Sequence, residues 1–179
     1  MMTSQQIRSC FEELNELLRS AGQKGEIGIV GGAAMCLVYN ARAATRDVDA
    51  IFAPSALIRS FAEKIAETHG LPMDWLNDGA KAFLASGFSK EIVRQYSNLL
   101  VWAPEPRYLL AMKCLSARWD SADGDDVRFL VKHLQFTEAS EVLILIKSYY
   151  PQSVIPAKTQ FFVEELMEQR ISGISGTPD

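Results

Sequence analysis

Apolar residues at Ile7, Phe11, Leu14, Leu17 and Leu18 recur at helical spacing and predict a helix over Thr3–Ser20. Thr3 with Gln6 fits a capping box at its start, and Ala21-Gly22 closes it. Glu26–Val30 is a short apolar run that reads as a strand ending at Gly31 and Gly32. Ala33–Tyr39 is almost wholly apolar and predicts a buried helix; Asp47–Phe52 predicts a second strand. Pro54-Ser55 opens a third helix, which Gly70 ends near Thr68. Residues 71–88, LPMDWLNDGAKAFLASGF, have no clear period, although Asn77 or Asp78 would cap a short helix carrying Ala80, Phe83 and Leu84. Asn98–Ala103 predicts a strand bounded by Pro104 and Pro106.

Beyond those prolines the pattern is helical throughout, over Tyr108–Arg118, Asp126–Leu134, Glu138–Tyr149 and Lys158–Ile171. The order predicts an α+β fold with a small sheet and a helical C-terminal half. Residues 1–104 form the α/β core in this reading. Residues 105–172 form a helical part packed on it as one compact unit, and 173–179 a disordered tail.

Composition changes little in this picture. The 179 residues are 48% hydrophobic and 22% charged, which is ordinary for a globular chain. A net charge of -4 argues against a general electrostatic grip on nucleic acid, but leaves room for a local basic patch. The polar start MMTSQQIRSC and the lack of a long apolar run predict a cytoplasmic protein with no membrane span. Cys10, Cys36 and Cys114 are widely spaced and read as reduced core thiols, and His69 and His133 have no metal-ligand spacing.

Candidate chemistry lies in IGIVGGAAMCLVYNARAATRDVDAIF, residues 27–52. Alternate residues of a strand point to one face, so Asp47 and Asp49 project together while Val48 enters the core. Two such carboxylates suit a Mg²⁺ ion, which takes oxygen ligands and keeps places for phosphates. Alternatively they are solvated, or paired with Arg42 and Arg46. Gly31-Gly32 lets an anion approach the backbone closely; tight strand-to-helix packing would account for it equally. The GxGxxG spacing of a dinucleotide-binding turn fails at Gly28-Ile29-Val30-Gly31-Gly32-Ala33, and a Walker A pattern is absent.

The glycine pair followed by DVD resembles the signature of the polymerase-β-like nucleotidyltransferase superfamily. The string GGAAMCLVYNARAATRDVDAIF is similar to a branch related to AbiEii-type toxins of type IV toxin–antitoxin systems. LPMDWLND and YLLAMKCLSARWDSADGDDVRFL, residues 71–78 and 108–130, match that branch too.

The resemblance implies a small mixed sheet flanked by helices and transfer of an NMP from an NTP to a hydroxyl. In that reading Gly31 and Gly32 hold the triphosphate, with Arg42 and Arg46 steering phosphates. Asp47 and Asp49 bind Mg²⁺, and Lys113 reaches a phosphate. Asp126, with Asp123, completes the acidic site or activates the attacking hydroxyl. The implied acceptor is an RNA 3′ end, a protein side chain or a small molecule such as an aminoglycoside, with RNA, tRNA in particular, favoured by the AbiEii likeness, and the implied partner is a cognate antitoxin protein. Arg107 and Arg118 add to the basic residues available to an acceptor.

Each residue also has a plainer use. Lys113 would extend from an apolar helix to solvent, and Asp123, Asp125 and Asp126 would cap the next helix. Trp75 and Asn77 read as packing and capping residues. The third carboxylate usual in active members is missing from Asn98–Ala103, with Asp74 and Asp126 as candidate substitutes. That gap keeps open a protein that binds nucleotide without turnover, and also an α+β scaffold whose aspartates are structural.

Overall fold

The computed structural model describes residues 1–116 and 122–174, with 82, 83 and 170–174 described by backbone alone. The elements run β1 (Met2–Thr3), α1 (Ser4–Ser20), β2 (Gly25–Ile29), α2 (Gly31–Leu37), β3 (Ala44–Thr45), β4 (Val48–Ala53), α3 (Ser55–His69) and β5 (Leu76–Asn77). A short 3₁₀ turn at Gly79–Phe83 follows, then β6 (Lys90–Gln95), β7 (Leu99–Pro104), α4 (Pro106–Ser116), α5 (Asp123–His133), α6 (Ala139–Tyr149) and α7 (Ala157–Ile174). The fold is α+β with a mixed sheet flanked by helices and a helical C-terminal half. Among the described residues no helix is long and apolar enough to cross a membrane.

Residue contacts divide the chain into two compact units, Met1–Leu84 with Ser89–Glu105, and Ala85–Phe88 with Pro106–Asp179. The first holds a five-stranded sheet in the order β5-β4-β2-β7-β6, and a two-stranded β1-β3 pair. β2 runs antiparallel to β4 and parallel to β7; β4 is parallel to β5, and β6 is antiparallel to β7.

Paired residues share a face of the sheet. Ile27, Ile29, Val48, Ala50, Leu76, Leu99 and Val101 make one apolar face. Helices α1 and α3 cover it, and a Cβ added at Gly25 would meet Leu18 at 2.8 Å and Ile58 at 3.2 Å. The second face carries Asp49, Asn77, Gly28, Ile51, Trp102 and Ile92 in the same registers. Fixing one face by burial thus fixes which side chains stand on the other.

Helix α1 has the capping box expected of Thr3 and Gln6. Helix α3 ends at Gly70 in the left-handed conformation. The helix expected from Ala33 instead starts at Gly31, so the glycines belong to its first turn. Strand β4 begins at Val48, one residue later than the sequence predicts, and Asp47 lies in the bend before it. The short helix expected after Asn77 is the 3₁₀ turn, where Asn77 Oδ1 accepts the Gly79 N–H at 2.9 Å.

The second unit is built on Tyr108, which is fully buried. Its ring stacks with Phe88 at 4.3 Å and meets Tyr149 edge-on at 5.2 Å. Its hydroxyl accepts from the Ala85 N–H at 2.7 Å and from the Tyr150 hydroxyl at 3.1 Å. Thr159 donates to the Cys114 carbonyl at 3.0 Å, tying α7 to α4. Helix α7 continues to Ile174, past the point where a tail is expected; the rest of that tail and Arg118 lie outside the described residues.

Candidate active site

The glycine pair sits where β2 turns into α2. Gly31 has φ +57, a left-handed conformation that side chains rarely adopt. A Cβ there would also stand 3.1 Å from Asp49 Oδ2. At Gly32 an added Cβ would lie 2.4 Å from the Thr45 hydroxyl and 3.4 Å from Arg42 Nη1. Strand β4 is held against this turn by the bond from Val30 N–H to the Asp49 carbonyl, 2.9 Å. One cluster therefore contains Gly31, Gly32, Arg42, Thr45 and Asp49, with glycine favoured at 31 by the backbone conformation and at 32 by the nearness of Thr45.

Val48 is buried and Asp49 half-buried, as alternation along β4 requires. Asp47 is half-buried and Arg46 exposed in the bend that leads into the strand. Asp74 is exposed in the turn before Trp75. Trp75 is fully buried and its indole donates to the Ala62 carbonyl at 2.9 Å, so it is a packing residue.

Nothing local in the sequence marks Thr45, and Asn77 stands out there only as a cap. Asn77 pairs in register with Asp49 across β4 and β5. Thr45 is buried in a strand of two residues that pairs with Met2. Neither strand is long enough to show a period. The available signal was Leu76-Asn77, an apolar residue then a polar one, matching Val48-Asp49.

In the second unit, Lys113 is buried rather than reaching solvent. Its ammonium lies 2.7 Å from Asp123 Oδ1 and 2.8 Å from Asp126 Oδ2. Asp126 is 2% exposed. Breaking such a buried pair from one side costs about 3–5 kcal/mol, because a charge is left uncompensated. Helix α5 has no side-chain cap hydrogen bond at its Ala122 N-cap, and Asp123 and Asp126 from its first turn both pair with the lysine. The exposed Arg107 guanidinium packs over Phe136 at 5.3 Å. Neighbouring Cys114 is driven up to about 12 by burial, which keeps it a thiol at neutral pH.

Among the described residues no three His, Cys, Asp or Glu side chains group as a metal site. Asp49 offers carboxylate oxygens, the ligand type a Mg²⁺ ion takes, and such an ion needs only one or two carboxylates when phosphates and waters complete its shell.

A family described as nucleotidyltransferase of unknown function (DUF6036) matches residues 5–150 of the chain. No curated protein and no solved structure matches it.

Proposed function

The chain belongs to this family of nucleotidyltransferases, and from that premise we propose that it moves a nucleoside monophosphate from an NTP to a hydroxyl acceptor with Mg²⁺. The observation that carries the reading is the approach of the Asp49 carboxylate to the side-chain-free Gly31, where a Cβ would come within 3.1 Å. Asp49 and Asp47 are the groups that would hold the cation, which when bound offsets the charge gathering on the transferred phosphoryl group. The absence of a side chain at Gly31 lets phosphate oxygens come up beside the carboxylate, while Gly32 lets Thr45 pack against the turn. Arg42, whose guanidinium stands next to Gly32, supplies positive charge to those oxygens. The acceptor oxygen attacks the α-phosphorus, the bond to the β-phosphate breaks and pyrophosphate leaves.

The proposed acceptor is RNA, tRNA in particular, reached through Arg42 and Arg46 despite the net charge of -4. The proposed setting is the cytoplasm, in a toxin–antitoxin pair with a cognate antitoxin protein. A second reading, nucleotide binding without turnover, is favoured by Asn77 standing beside Asp49 where another carboxylate would strengthen the metal site.

The test is transfer of label from each α-phosphate-labelled NTP to total RNA and protein, with Mg²⁺. Wild type is expected to label an acceptor, and Asp49→Asn to lose at least about a hundredfold in rate. Absence of label from any NTP, with the protein folded and binding Mg-NTP, would select the second reading.

A further inference from the structure

Strand β5 is two residues long, yet it sets a side chain beside Asp49. In-register neighbours on adjacent strands stand about 4.8 Å apart and present their side chains to one face. Leu76 joins Val48 in the core, and Asn77 joins Asp49 on the second face. The register is fixed from behind. Val48 N–H donates to the Trp75 carbonyl at 2.6 Å, and the buried Trp75 indole is anchored to α3 through Ala62.

The turn that follows fixes the amide itself. Asn77 Oδ1 accepts the Gly79 N–H at 2.9 Å, and a backbone N–H can only pair with the oxygen end. Besides the second lone pair of Oδ1, which the turn holds towards Gly79, the side chain offers the two hydrogens on Nδ2. These are donors. They suit an anionic oxygen and have no charge to give a cation.

We infer that Asn77 is a ligand-positioning residue of the Asp49 site, its Nδ2 hydrogens holding an anionic oxygen of the bound polyphosphate. Its neutrality leaves the cation affinity of the nucleotide-free protein low, so that cation and nucleotide enter together. The inference rests on the nucleotidyl-transfer reading of the site and deepens it.

The experiment compares full-length wild type, Asn77→Asp and Asn77→Ala. Mn²⁺ binding is followed by its electron paramagnetic resonance without nucleotide, and binding of each of the four Mg-NTPs by calorimetry. Asp keeps an oxygen for the Gly79 N–H, so this variant retains the turn; melting curves check both variants. Asn77→Asp is expected to bind Mn²⁺ about tenfold tighter than wild type, through the added carboxylate. Asn77→Ala is expected to weaken Mg-NTP binding about tenfold, the scale of one hydrogen bond to a charged group, with Mn²⁺ affinity unchanged.

Unchanged Mn²⁺ affinity in Asn77→Asp, or unchanged nucleotide affinity in Asn77→Ala, overturns the inference and leaves Asn77 as a turn residue. A wild type that binds no nucleotide overturns the transfer reading along with it. Normal wild-type binding with unaltered variants overturns this inference alone.

Discussion

Gly32 shows how tightly the site is built. Its missing Cβ would lie 2.4 Å from the Thr45 hydroxyl, a distance that forces something to move. Gly32→Ala is expected to cost about 1–3 kcal/mol, the usual penalty of overpacking. Adding Thr45→Ala, which removes the obstructing hydroxyl, is expected to recover a good part of that loss in urea unfolding. An additive double variant would show that the clash lies elsewhere. The strand-to-helix turn at Gly31-Gly32 and the alternation that sets Asp49 opposite Val48 were legible because each is a pattern of adjacent residues. Lys113 was not. Its carboxylate partners belong to another helix, ten and more residues along the chain, and local periodicity shows only an apolar helix around the lysine. Asn77 was half-legible, since its bond to Gly79 is local and its place beside Asp49 is not.

At the scale of elements, long amphipathic segments were read well and the sheet only in part. Helices α1 and α3 bury one face each, so their period survives in the sequence. Strand β6 is exposed along most of its length at the sheet edge, and the register shifts between Ile92 and Arg94, so KEIVRQ shows no alternation. What pins this edge is a side-chain clip across β7. Lys90 donates to Glu26 at 2.7 Å and lies 4.2 Å from the centre of the Trp102 ring. The lysine hydrogen bond holds the Glu26 carboxyl below its usual 4.5. A depressed carboxyl adds stability that is present above its unfolded value and lost as pH falls through the folded one. Both side chains are about half exposed, so the gain over Glu26→Gln at pH 7 is expected to stay below about 1 kcal/mol. It should vanish under acid conditions where the carboxyl is protonated in both states. Thermal unfolding of the two proteins across that range checks it, and a difference that persists in acid would remove the clip from the account.

The whole molecule follows a path that the sequence hides. The chain leaves the first unit after Leu84, contributes Ala85–Phe88 to the second, returns for β6 and β7, and departs again after Glu105. Residues 71–88 carry no clear period because they serve two units in succession. The helical second half was legible from its own spacing; the four-residue excursion depends on Tyr108, Tyr149 and Tyr150, whose ring contacts no local pattern announces.

That excursion has a consequence for birth order. Phe88 is synthesised about 60 residues before Tyr150, which at 5–20 residues per second is a wait on the order of three to twelve seconds. During it, the first unit acquires all its strands and Phe88 gains Tyr108, but the Tyr149 and Tyr150 rings that pack on Tyr108 are still to come. Chains arrested at residue 140 are expected to be cut at Phe88 by chymotrypsin faster than released chains, and equal rates would refute this. The ribosome would thus hand over a nearly finished sheet with one loop whose aromatic packing is only half assembled.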